Sequence, residues 1–186
     1  MLKKSLLGLG TLAAFFALIV FLQPDEFRVS RTVTVAAPAS AAFAQVNSFH
    51  AWQTWSPWAK LDPNAKAAFA GNDAGEGAVF LWSGNSDVGE GKMTIVESHP
   101  HERIGIRLDF VKPMEATSDV QFTFQPNGET TDVTWTMSGQ NNFLGKAVCL
   151  FMNQDKMIGG YFEKGLASLK MRAEASALAK QSGASP

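Results

Sequence analysis

The side chains best suited to acid–base, nucleophilic or metal chemistry are few and widely spaced. His99 and His101 flank Pro100 in a predicted hairpin turn with no third ligand beside them, which favours an exposed turn over a metal site. His50 is the most plausible general base in the chain. Cys149 is the only cysteine, so it forms no internal disulfide, and its apolar run AVCLFM predicts a buried, inert thiol. The sequence predicts no catalytic residue, no metal ligand and no cofactor.

Three of the five tryptophans lie in the segment HAWQTWSPWAKLD. Trp52 and Trp55 are three residues apart and would share one helical face. Pro57 disfavours helix at the residue before it, so Trp58 begins a new direction. Tryptophan exchanges no proton near neutral pH, which removes catalysis as a role for these rings. The segment is predicted to be a structural plug at one end of the fold, or a rim that also contacts a ligand.

The N-terminal residues predict a membrane anchor. Residues 5–22 contain no charged side chain, and at about 1.5 Å per residue they make roughly 27 Å of helix, close to the hydrocarbon thickness of a bilayer. No small-x-small cleavage site follows, which favours an uncleaved anchor over a signal peptide. Lys3 and Lys4 precede the run and Asp25 follows it. This charge order predicts a single-pass protein with a cytoplasmic N-terminus and the domain on the other side. In a bacterium this is an inner-membrane protein with a periplasmic domain.

Composition predicts one globular domain after the anchor. The chain is 46% hydrophobic and 18% charged, with a formal net charge of −1, and this balance argues against nucleic acid as a partner. We therefore divide the chain into a transmembrane anchor (1–24), one domain (25–175) and a flexible tail (176–186). The domain is expected to be a monomer.

Apolar periodicity predicts the order of elements. The stretch FRVSRTVTVAA alternates as a strand, a short helix follows, and six meander strands with one apolar face each begin at residue 66. A proline-free helical pattern covers 142–180, with an apolar stripe at Phe151, Ile158, Phe162, Leu166 and Leu169. Within it, 142–153 is either a separate short helix or a loop. The glycines of this helix, at 159, 160 and 165, each cost about 1 kcal/mol relative to alanine. They indicate that the helix either lies very close to the sheet or leaves room beneath it.

The inward faces of the predicted meander strands are apolar and rich in rings and methionine. They contain no titratable side chain. Either they form an ordinary packed core, or they form the wall of an apolar pocket. The indole N–H groups of Trp82 and Trp135 would need acceptors if buried, and a ligand's polar atoms could supply them. Tyr161 either points its hydroxyl into such a pocket or lies on the helix flank.

Several motifs together resemble the SRPBCC superfamily, which has the START-like helix-grip fold. They are WSPW, GEGAVFLWSGN, VGEGKMTI, TDVTWTMSG and DKMIGGYFEKGLASLK. The resemblance extends from Phe27 to Ala173 and is strongest to membrane-anchored bacterial members described as polyketide cyclase/dehydratase-like. It implies an α+β fold in which a curved antiparallel sheet of about six to seven strands wraps around a long C-terminal helix. Here one N-terminal transmembrane helix would precede it.

The resemblance also implies a deep apolar cavity between sheet and helix. The candidate ligand-binding residues are Trp55, Trp58, Trp82, Phe110, Met114, Phe122, Trp135, Met137, Tyr161 and Phe162. We expect a membrane-tethered protein that binds a hydrophobic small molecule or lipid. Two alternatives stay open, because a fold does not decide function. One is a cyclase/dehydratase-type enzyme that uses His50 or Tyr161, and the other is an envelope interaction protein with a vestigial cavity.

Overall fold

The structure, a computed structural model, describes residues 2–151 and 153–183. Its helices are α1 (Leu2–Phe21), α2 (Ala39–Val46), α3 (Phe49–Gln53), α4 (Phe143–Cys149) and α5 (Gln154–Gln181), with a 3-10 turn at Trp58–Lys60. Its strands are β1 (Glu26–Val35), β2 (Lys66–Gly71), β3 (Ala78–Ser83), β4 (Glu90–His99), β5 (Arg103–Lys112), β6 (Ala116–Asn127) and β7 (Thr130–Gln140).

The strands form one antiparallel sheet in the order β1-β7-β6-β5-β4-β3-β2. Strands β2 to β7 form a meander. Strand β1 lies at the edge of the sheet and pairs with β7, with Val29 opposite Met137. Alternation predicted the inward face correctly: Ile95, Ile104, Phe122 and others of that set are fully buried. The predicted α+β helix-grip architecture of about six to seven strands is confirmed, with seven strands.

Helix α5 packs along β1 through an apolar stripe that buries Phe162, Leu166, Leu169 and Ala173. Two of its glycines are needed for close approach. A Cβ on Gly165 would lie 2.8 Å from the Trp135 ring, and one on Gly159 would collide with the Arg31 guanidinium. A Cβ added to Gly160 would meet no heavy atom of the described residues within 4 Å beyond its own stretch of helix. Of the two explanations for these glycines, close packing therefore holds at 159 and 165.

Of the two predictions for 142–153, a separate short helix or a loop, the separate helix holds. The helical pattern forms α4 and α5 as separate helices, and Phe151, assigned to the buried stripe, lies between them and is 79% exposed. That assignment was wrong because α4 packs beside α1 rather than beneath the sheet. The predicted tail 176–186 overlaps the end of α5, which extends to Gln181, and residues 184–186 lie outside the described residues.

The N-terminal apolar run forms α1, as a helix was predicted there. Within the part of the chain that the structure describes, no helix is both long and apolar enough to cross a membrane. The predicted transmembrane span is therefore unsupported by the structure. Val20 is buried, whereas Phe15, Leu18 and Phe21 are exposed.

Candidate functional site

The tryptophans of segment 50–62 converge on one residue of β7, Trp135. Its ring centroid lies 5.4 Å from Trp52 and 5.7 Å from both Trp55 and Trp58. Trp52 and Trp55 are buried, and the Trp55 Nε1–H donates to the Gln45 carbonyl oxygen at 2.8 Å. Trp58 is half-buried. The first two rings are thus a plug, and the third lies at the edge of the same cluster.

Trp135 is also the centre of the contact between sheet and helix. It stacks on Phe162 of α5, with centroids 4.0 Å apart and planes 8° apart, and lies 4.9 Å from Phe122 of β6. We call the seven rings around this point the aromatic cluster: Trp52, Trp55, Trp58, Phe122, Trp135, Tyr161 and Phe162. Such ring pairs contribute about 0.5–1.5 kcal/mol each beyond area burial. At this level the space implied by the family resemblance is occupied by side chains.

One polar atom inside the aromatic cluster is unsatisfied. The Trp135 Nε1 is fully buried and has no hydrogen-bond acceptor among the described residues. Leaving a buried donor unpaired costs about 1–3 kcal/mol. By contrast, the Trp82 Nε1–H donates to the Val88 carbonyl oxygen at 2.9 Å. Of the two indoles predicted to need an acceptor, Trp82 finds one within the chain and Trp135 does not.

Half-buried rings mark one end of the grip. We call it the open end: the end of the sheet where β1, β4 and β6 begin and β3, β5 and β7 finish. Trp82 and Phe110 lie near the last residues of β3 and β5 at this end and contact each other edge to face at 5.9 Å. A second pair, Trp58 stacked on Tyr161 at 5.5 Å, lies at the edge of the aromatic cluster beside Trp135. All four rings are half-buried. They supply apolar surface that is both preformed and accessible.

The candidate residues therefore form two groups and two single residues. Trp55, Trp58, Phe122, Trp135, Tyr161 and Phe162 meet in the aromatic cluster. Trp82 and Phe110 form a separate pair on β3 and β5, and Met137 is 8% exposed on β7, opposite Val29 of β1. Met114 is 41% exposed in the β5–β6 turn. That these residues bind a ligand stays a prediction.

Sequence reasoning missed Arg31, a charged residue between β1 and α5. Its guanidinium donates to both carboxylate oxygens of Asp155 at 2.9 Å and to Glu163 at 2.8 Å. The hydrogen bonds to Asp155 and then Glu163 raise the pKa of Arg31, and Arg31 in turn lowers the pKa of Asp155. The sequence could have shown that Arg31 lies on the inner face of β1, because it alternates in phase with Val29 and Val33.

The histidines lie away from the aromatic cluster. His50 is exposed and stacks on Phe69 at 3.9 Å, beside a small cavity of about 70 Å³. His99 Nε2 lies 2.6 Å from a carboxylate oxygen of Glu97, and Arg103 donates to the same oxygen. The hydrogen bond from Arg103 lowers the pKa of Glu97. Across the described ranges no three His, Cys, Asp or Glu side chains are grouped to hold a metal ion. Tyr161 is the single titratable member of the aromatic cluster.

Two further features lie outside the cluster. Cys149 is half-buried, whereas a buried thiol was predicted, and its Sγ lies 3.5 Å from Gln154 Oε1.

A groove of about 480 Å³ runs over the outer face of the sheet past Leu81, Lys92 and Asp109. Burial raises the pKa of Asp109, but hydrogen bonds from Thr117 and Arg107 outweigh this and lower it. These partners indicate a structural role for Asp109.

Solved structures share this fold at low sequence identity. Protein TTHA0849 from Thermus thermophilus has a TM-score of 0.58 and 15% identity, covering 81% of this chain and 99% of its own. Protein CV1439 from Chromobacterium violaceum has a TM-score of 0.57 and 15% identity, covering 81% and 98%. The di-domain ARO/CYC StfQ from the steffimycin biosynthetic pathway has a TM-score of 0.59 and 12% identity, over 82% of this chain and 52% of StfQ.

The family follows from the sequence match. No curated protein matches the chain. A family model described as "Polyketide cyclase / dehydrase and lipid transport" matches residues 26–174, which include all seven strands and most of α5. The chain therefore belongs to the polyketide cyclase/dehydrase and lipid transport family, within the SRPBCC-like helix-grip proteins.

Proposed function

We propose that the chain binds a hydrophobic molecule at the open end, against the aromatic cluster, without catalysing a reaction. The observation that carries the proposal is the Trp135 Nε1–H, a buried donor with no acceptor among the described residues. An apolar ligand with one acceptor oxygen would satisfy this donor and stack on the half-buried rings of Trp58 and Tyr161. The family description, which joins cyclases to lipid transport, is compatible with such a ligand.

The geometry limits how the ligand enters. Trp135 is 2% exposed and Phe162 is 1% exposed, so a ligand reaches the indole N–H only if a covering ring moves. Separating Trp58 from Tyr161 exposes the least new apolar surface, because both rings are half-buried and already face solvent in part. Ligand binding therefore opens this stack and leaves the Trp135–Phe162 stack in place.

The test uses two ligands that differ only in the acceptor. Anthracene and anthraquinone share a three-ring frame, and only the quinone has carbonyl oxygens. Each is titrated into the full chain in a mild detergent, with tryptophan fluorescence as the readout and empty micelles as the blank. We expect the quinone to bind about tenfold more tightly, which corresponds to about 1.4 kcal/mol. Trp135→Phe should abolish this difference.

Two outcomes would overturn the proposal. Equal binding of the two compounds to the wild-type chain removes the role of the Trp135 N–H. Absence of binding by either compound, and of any retained small molecule in native mass spectrometry, favours the second candidate. That candidate is an interaction protein with a vestigial cavity, and the ring-filled interior around Trp135 is the observation in its favour.

The location of the domain is a separate proposal. Lys3 and Lys4 precede the apolar run and Asp25 and Glu26 follow it, which supports a periplasmic domain in a bacterium. A C-terminal alkaline phosphatase fusion tests this, because the phosphatase is active only outside the cytoplasm. An inactive fusion at normal expression would contradict the periplasmic location.

A further inference from the structure

Helix α4 exposes its apolar side chains. Phe143 is 57% exposed, Leu144 52% and Val148 42%, and Phe151 just after the helix is 79% exposed. Large apolar side chains on a water-exposed surface are normally scattered singly. Here four of them lie within nine residues of one another along the chain.

The polar side of α4 faces inward. Lys146 is 7% exposed, forms an ion pair with Asp25, and has its Nζ 3.4 Å from the Phe21 carbonyl oxygen. The neighbouring Asn141 N–H donates to the Asp25 carbonyl oxygen at 2.6 Å. These bonds hold the lysine inside and the phenylalanines outside. The exposure of the apolar side is therefore fixed by specific contacts.

Other segments at the open end are apolar and exposed as well. Val111 and Met114, around the β5–β6 turn, are 48% and 41% exposed, and Met157 in the first turn of α5 is 45% exposed. The strand order places this turn at the same end as the start of β1 and the finish of β7, which α4 adjoins. The open end thus presents apolar side chains from three segments, which we call the docking surface.

Helix α1 indicates what covers the docking surface. It leads directly into this end and contacts α4, with Phe16 stacked 6.5 Å from Phe151. Leu12, Phe15, Phe16, Leu18 and Phe21 are exposed, and at 100° per residue they span about 220° of the helix circumference. A protein partner covers one apolar stripe of about 100°, and exposed apolar side chains over twice that width indicate an apolar phase around the helix. The occupant with that property is a lipid bilayer.

We infer that the docking surface seats on the surface of a lipid bilayer, with Phe143, Leu144, Val148 and Phe151 in the interfacial layer. Apolar helix faces of this kind enter the boundary between headgroups and acyl chains by about 5–10 Å. The rings of Trp82 and Phe110 then face the membrane. A hydrophobic ligand would pass between bilayer and protein without crossing water. That last consequence rests on the proposed function, whereas the docking does not.

The test measures where α4 lies when the full chain is in phosphatidylcholine vesicles. In a Cys149→Ser background, Phe143→Cys and Phe151→Cys are each labelled with a polarity-sensitive fluorophore. Matched controls are Val96→Cys, which replaces a 50% exposed valine of β4, and Glu129→Cys in the β6–β7 turn at the opposite end. We expect labels at 143 and 151 to emit at shorter wavelength and to be quenched several-fold more by lipid-borne spin labels than by aqueous iodide. The controls should show the reverse.

The opposite result would overturn the inference. If the labels at 143 and 151 are quenched by iodide as strongly as the label at 129, α4 is in water. Circular dichroism of each labelled chain shows that the fold is intact, and Phe151, at 79% exposed, is the site least able to disturb it. No ligand is added, so the result does not depend on whether the aromatic cluster binds one.

Discussion

Trp135 of β7 lies flat on Phe162 of α5, with ring centroids 4.0 Å apart and planes 8° apart. This stack joins the sheet to the long helix, and the surrounding tryptophans meet Trp135 nearly edge to face. Because the indole N–H at its centre has no acceptor among the described residues, the ring that stacks on Phe162 also holds an unpaired buried donor. Packing here is therefore compatible with a binding role.

Trp135→Phe and Trp55→Phe should differ in their effect on stability. Both substitutions shorten a buried ring by the same amount, but Trp55 loses a hydrogen bond to Gln45 and Trp135 loses an unpaired donor. We expect Trp55→Phe to lower the free energy of unfolding by about 1–2 kcal/mol more than Trp135→Phe. Chemical denaturation followed by circular dichroism measures this. An equal or larger cost at Trp135 would show that its N–H has a partner.

Two glycines of α5 should respond to alanine in opposite directions. At Gly165 the new methyl group would meet the Trp135 ring at 2.8 Å and Pro57 at 3.2 Å, so Gly165→Ala should destabilise by about 1–3 kcal/mol. At Gly160 there is open space, so Gly160→Ala should stabilise by about 1 kcal/mol through helix propensity. Thermal unfolding of both variants checks the signs. A stabilising Gly165→Ala would mean that α5 lies farther from Trp135.

The sheet was predictable because alternation is a local property. Residues such as Ile95, Ile106 and Val120 follow the period of two, and the structure buries them. Phe151 was assigned to the core from the apolar stripe of the C-terminal helical pattern, which is also a local property. Its exposure depends on how α4 meets α1, and no local pattern reports that contact.

The aromatic cluster was only partly predictable. The spacing of Trp52 and Trp55 and the position of Pro57 left two roles open, a plug or a rim, and the burial of both rings agrees with the plug. Their convergence on Trp135 joins residues more than 70 positions apart, which periodicity cannot pair. Arg31 was visible in the alternation of β1, but its two carboxylate partners come from α5, a helix at the opposite end of the chain.

The Arg31–Asp155 pair should make stability depend on acid pH. Arg31 lowers the pKa of Asp155, so the unfolded chain takes up this proton at a higher pH than the folded chain does. The contribution is complete above the unfolded pKa of about 3.9 and is lost as the pH falls through the folded value. Asp155→Asn should therefore destabilise the protein at pH 7, and this cost should shrink steadily as the pH falls below about 4, measured by denaturation across that range.

A second substitution separates the pair from the position of Asp155 in the first turn of α5, where a carboxylate is favourable in any case. In an Arg31→Met background, the pH dependence of the Asp155→Asn effect should largely disappear. If it persists undiminished, the helix end and not Arg31 is responsible.

Lys146 should control whether α4 stays in place. Its side chain reaches Asp25 and the Phe21 carbonyl oxygen from a nearly buried position, so Lys146→Ala removes the contacts that hold the polar side of α4 inward. We expect hydrogen exchange of amides 143–149 to accelerate roughly tenfold in the full chain, equivalent to about 1.4 kcal/mol of local stability, while β7 is unchanged. Lys156→Ala, at an exposed lysine of α5, is the matched control and should leave the exchange of α4 as it was. Unchanged exchange in Lys146→Ala would show that α4 is held by its apolar side instead, which is the side assigned above to the bilayer.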